Sequence, residues 1–247
     1  MEENRKGPGV FYAVVGVATL VVAIIGATFA YFSASAQAET PVTGGTLDLS
    51  SNFKVAVTQL QPDKRQASSE KLVPAKFGTS NDALTTTNAV SAVTSALKSK
   101  CEEADAKGGY TGCHIWKVTA TTGQDLATAS LNLDIRAPKG DNWSYVLFKD
   151  SEDLTSLNGT SGTVTLSTST NAVGKFTAAG TSVDMHNGAP MKAAKGAGVS
   201  ETYYIMVYLQ NTATSQNKDA DDETGTYNGT VKFSAASGEV TATFALS

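Results

Sequence analysis

From residue 45 onward, apolar and polar side chains alternate with a period of two, in short bursts separated by turn-forming residues. Leu47 and Leu49 alternate with Thr46, Asp48 and Ser50, and Val55 and Val57 carry the pattern towards Leu60. Ile115, Trp116 and Val118 open a run that resumes after Gly123 in Leu131, Leu133 and Ile135, with Asn132 and Asp134 on the other face. Further strands are predicted at Trp143–Phe148, Thr163–Ser167, Thr202–Leu209, Gly229–Ala235 and Glu239–Leu246. Successive side chains of a strand point to opposite faces, so this alternation predicts strands with one buried face. The Thr202–Leu209 run is apolar or aromatic on both faces, which predicts either a central strand covered on each side or a contact surface of exposed tyrosines. Asn158-Gly159, Asn187-Gly188, Asn228-Gly229 and Ser237-Gly238 read as turns between the runs. About eight strands with irregular connections predict an all-β, jelly-roll-like sandwich.

Two segments break the period of two. Between Asn88 and Ala106, Val90, Val93, Leu97, Cys101 and Ala104 recur at spacings of three or four, which places them on one face of an inserted helix. Thr87 or Asn88 is its expected cap and Gly108-Gly109 its terminator. The other segment is N-terminal: residues 7–38 carry no charged side chain and follow Arg5-Lys6. The stretch Val10–Phe32 would span about 35 Å as a helix, enough for a hydrocarbon core of about 30 Å. A basic head, an apolar helix and A-x-A spacing suit a signal peptide, with cleavage after Ala30, Ala36 or Ala38. The alternative is an uncleaved anchor that keeps Arg5 and Lys6 inside and holds the chain in the membrane through residues 10–32. A type IV pilin leader fits poorly, because Val14 stands where such pilins carry a glutamate.

Composition narrows the function classes. Residues 1–30 hold two acidic and two basic side chains, so the rest keeps the formal charge of −4. Nothing resembles the clustered Lys and Arg that nucleic acid requires, and no nucleic-acid partner is expected. Ser, Thr, Ala, Val and Gly dominate while charged residues make up 17%, which suits short strands with hydroxyl-bearing outer faces.

The candidate chemistry is sparse. Cys101 and Cys113 are the two cysteines, and in an exported chain they most simply form one disulfide that clamps the helix to the following strand. A reactive or metal-binding thiol pair beside His114 is the competing reading. Four zinc ligands are hard to assemble from two histidines, His114 and His186, with the latter expected in a Gly-rich loop over 184–198. No H-E-x-x-H, G-x-S-x-G, P-loop or dinucleotide fingerprint occurs, so neither an enzymatic activity nor a cofactor is expected. Asp219, Asp221, Asp222 and Glu223 form a weak calcium candidate, since Thr224 and Thr230 occupy the positions an EF-hand gives to glycine and glutamate. A solvated loop is the plainer reading of that charge run. Asn142-Trp143-Ser144, Asn158-Gly159-Thr160 and Asn228-Gly229-Thr230 match the glycosylation pattern, as short motifs often do by chance in a Ser- and Thr-rich chain.

Three stretches together suggest a family. Gly26-Ala27-Thr28-Phe29-Ala30-Tyr31-Phe32, then Gly45-Thr46-Leu47-Asp48-Leu49-Ser50, then Leu60-Gln61-Pro62-Asp63, resembles the N-terminal layout of TasA/camelysin-like biofilm fibre proteins. The resemblance implies a secreted jelly-roll subunit, released by a signal peptidase between Ala30 and Tyr31. Such a subunit assembles with identical copies into extracellular fibres when its N-terminal segment completes a neighbour's sheet. Camelysin relatives have been classed as metallopeptidases, an activity that the missing zinc motif argues against here.

The residues supply a separate reason for such assembly. From Tyr31 onward, Phe32, Ala34, Ala36 and Ala38 alternate with Ser33, Ser35 and Gln37, giving an uncharged strand with one small apolar face. A strand of this kind can extend an exposed sheet edge, and a head-to-tail contact that does not close builds filaments. A flexible stalk, or a strand paired within its own subunit, are the alternatives for residues 31–44. The expected organisation is a signal or membrane segment at 1–30, a donor strand or linker at 31–44, and a sandwich at 45–247. A surface adhesin or carbohydrate-binding sandwich, using the Tyr203, Tyr204 and Tyr208 face, is the alternative function.

Overall fold

The computed structural model describes residues 53–60, 71–77, 84–97, 110–123, 125–155, 163–167, 172–192, 201–212, 226–236 and 238–246. Contacts divide the chain into two units, Met1–Thr40 and Pro41–Ser247, and every described residue belongs to the second. Its elements, in order, are β1 (Phe53–Leu60), β2 (Lys71–Leu72), α1 (Thr86–Ser95), β3 (Tyr110–Thr111), β4 (His114–Thr122), β5 (Ala129–Arg136) and β6 (Trp143–Asp150). Then follow β7 (Val164–Leu166), β8 (Val173–Lys175), β9 (Thr181–Asn187), β10 (Glu201–Leu209), β11 (Tyr227–Ala235) and β12 (Gly238–Leu246).

The alternating runs build two antiparallel sheets. The first has the order β1-β4-β10-β6-β7, and β8 lies beside β7 on the same edge of β6. The second has the order β12-β11-β5-β9. The run expected to continue from Ile115 to Ile135 is divided between them, because β4 stays in the first sheet while β5 enters the second. Between the two strands, Leu126 and Met191 exchange backbone hydrogen bonds of 2.8 and 3.0 Å.

The core fills the space between the sheets. Trp116, Val118, Tyr145, Leu147, Ile205 and Val207 of the first sheet meet Leu131, Leu133, Val183, Val231, Phe233 and Phe244 of the second, all buried. A second apolar cluster lies on the opposite face of the first sheet, where Ile115, Val146, Phe148, Met206 and Tyr208 join Ala89, Val93 and Leu97 of the helical segment. Both faces of the first sheet are therefore covered. That accounts for β10, whose residues 203–209 are all buried: Tyr203, Ile205, Val207 and Leu209 point into the sandwich, and Tyr204, Met206 and Tyr208 into the helix-side cluster.

Local departures from the sequence expectation have identifiable causes. The helix begins earlier than expected, with Thr85 at the N-cap; Asn88 contributes from the third helical position, accepting the Thr85 N–H at 2.8 Å. Its buried face is Ala89, Ala92 and Val93, continued past its end by Ala96 and Leu97, with Val90 only half-buried, so the helix is turned slightly from the predicted stripe. Cys101 and Ala104 lie outside the described residues, as does the predicted strand over 46–50. Twelve strands are described where about eight were expected. The most substantial addition is β9, which takes up the start of the expected loop over 184–198. Its inward residues Val183 and Met185 are too few, among polar neighbours, to announce a strand.

The Asn228-Gly229 pair, expected to turn, lies inside β11. Gly229 is there because the Phe244 ring occupies the space its Cβ would fill. Of the expected Ser237-Gly238 turn, Gly238 pairs with Ala235 across the β11–β12 hairpin and has φ 146°, while Ser237 lies outside the described residues.

Candidate functional site

The two histidines come from different sheets, and each meets a tyrosine of the opposite sheet. His114 of β4 and Trp116 two residues later lie against Tyr227 of β11. The His114 Nδ1 is 2.9 Å from the Tyr227 hydroxyl, and Trp116 Nε1 donates to that same oxygen at 2.7 Å. Burial raises the Tyr227 pKa far above the ordinary tyrosine value, opposed in part by the Trp116 hydrogen bond. A proton-bearing phenol with one lone pair taken by Trp116 is suited to donate to His114 Nδ1.

The second pair joins β9 to β10. His186 Nε2 lies 3.0 Å from the Ala189 carbonyl, so it carries the proton, and in the neutral ring Nδ1 accepts the Tyr203 hydroxyl at 2.9 Å. A β-bulge opposite Leu131 and Asn132 turns His186 inward directly after the inward Met185. Lys149 Nζ sits 4.2 Å from the centre of the Tyr203 ring and 2.8 Å from Glu201 Oε2. Desolvation, followed by the nearby Glu201 and Asp184 carboxylates, raises the Tyr203 pKa.

A third polar group lies on the helix side of the first sheet. The Tyr204 hydroxyl accepts the Leu154 N–H at 2.8 Å and donates to Asp153 Oδ1 at 3.3 Å, while Lys117 pairs with the same carboxylate at 2.6 Å. Its ring stacks on Phe148 with centroids 5.2 Å apart. Burial pushes the Tyr204 pKa up to about 12. These contacts hold residues 151–155 down on the sheet. All three arrangements fasten one part of the sandwich to another, and none places a nucleophile beside a base.

The positions singled out from sequence are dispersed. Both histidines are packing residues, and His186 lies in a strand rather than in the expected loop. Tyr203, Tyr204 and Tyr208 are 0%, 1% and 2% exposed, which removes them as a recognition surface. Cys113 is buried immediately before β4, and no cysteine among the described residues is free. Its expected partner Cys101 lies outside the described residues. So do the cleavage site at Ala30 and Tyr31, the strand residues Phe32, Ala34, Ala36 and Ala38, and the acidic run Asp219, Asp221, Asp222 and Glu223. Among the described residues, no group of three or more His, Cys, Asp or Glu side chains could hold a metal ion, and no helix is long and apolar enough to cross a membrane. No local pattern announces the histidine–tyrosine pairs, because their partners are 113 and 17 residues apart in the chain.

Fold and polar groups together define a β-sandwich whose buried polar chemistry is devoted to internal fastening. The N-terminal part is camelysin-like: residues 3–108 match the sequence model of the camelysin metallo-endopeptidase family, which bears out the TasA/camelysin-like resemblance. None of the curated proteins compared matches the chain. Among solved structures, the Momordica charantia 7S globulin aligns with 74% of this chain and 40% of its own, at 8% identity and a TM-score of 0.18. Similarity at that level carries no argument.

Proposed function

We propose that this chain is a secreted structural subunit of an extracellular fibre, on the cell surface or in a biofilm matrix. Each subunit is released by a signal peptidase between Ala30 and Tyr31 and lends the strand Tyr31–Ala38 to the sheet of its neighbour. The observation that carries the proposal is the camelysin-like match over residues 3–108, which takes in both the export segment and that uncharged, alternating strand. The jelly-roll-like class belongs to the same proposal, and the repeated crossing of the chain between sheets from β4 to β11 suits it. A disulfide between Cys101 and Cys113, tying the helical segment to β4, completes the subunit.

Peptidase activity is not part of this reading. The family description names a metallo-endopeptidase, but the chain contains no H-E-x-x-H. The adhesin reading loses its proposed surface with the burial of the tyrosines.

Electron microscopy of cells making the intact chain, or a chain lacking Tyr31–Ala38, tests the proposal. Fibres should appear with the first and not with the second, which should be exported as folded monomers. Fibres formed by the deleted chain would end the donor-strand reading.

A further inference from the structure

We draw no further inference here: the strongest candidate, the hydroxyl- and amide-rich outer face of the second sheet around Asn132, Thr230, Lys232, Thr241 and Thr243, carries nothing, because Lys232 is already paired with Glu239 and Arg136 with Asn228, and nothing in the structure shows what covers that face.

Discussion

Gly229 shows how one missing atom can organise a strand. Its site is filled by the Phe244 ring, whose centroid in turn lies 4.8 Å from that of Trp116. Gly229→Ala should destabilise the fold by about 1–3 kcal/mol, the usual cost of overpacking a core. Denaturant titration would measure that loss, and Phe244→Leu in the same chain should recover part of it through coupling of the two neighbours. The buried tyrosines give a second residue-scale expectation. In the unfolded chain they ionise near the ordinary tyrosine value of about 10, whereas folded Tyr203, Tyr204 and Tyr227 resist ionisation, Tyr204 until about pH 12. A folded pKa raised above the unfolded one gives stability that is whole below pH 10 and is lost as pH climbs through the folded value. Phenolate absorbance should thus show these tyrosines ionising only together with unfolding, and a gradual ionisation at pH 10–11 in the folded protein would contradict their burial.

At the scale of elements, legibility followed the strength of the periodic signal. β4, β5, β6, β10, β11 and β12 were readable because each carries several apolar residues at a spacing of two, or apolar residues on both faces. β7 and β8 are too short to show a period, and β9 mixes Asp184 and His186 with its two inward apolar residues. The helix was recognisable from its stripe, although its start was displaced because the capping interaction joins Thr85 to Asn88 rather than beginning at Asn88. Individual buried polar pairs were not legible, since His186 and Tyr203 meet only through the bulge in β9 and the packing of two sheets. The helical segment also bears on the cysteines. If Cys101 is tied to Cys113, Cys101→Ser should cost about 3 kcal/mol by loop-closure entropy. Thermal unfolding and thiol titration of the unreduced protein measure this together, with two reactive thiols in the parent chain as the opposing result.

For the whole molecule, the sheets have different surroundings. The first is covered by the second sheet on one face and by the helix-side cluster on the other, whereas the second turns Asn132, Asp134, Thr230, Lys232, Thr241 and Thr243 away from the core. The order of strands within them also governs when the sandwich can form. Leu60 waits for Ile115, β4 and β6 are joined only by β10, and β5 gains its central neighbour only when β11 arrives. Pairings this distant along the chain fold slowly. A chain ending before Tyr227 should therefore be digested rapidly by protease under conditions where the intact sandwich resists, and equal resistance would show that the first sheet stands alone. For a protein passed across a membrane with its N-terminus leading, the consequence is one of timing. Under the proposed export, the polypeptide would stay threadable until the β11–β12 hairpin had emerged, because the second sheet lacks its centre before then.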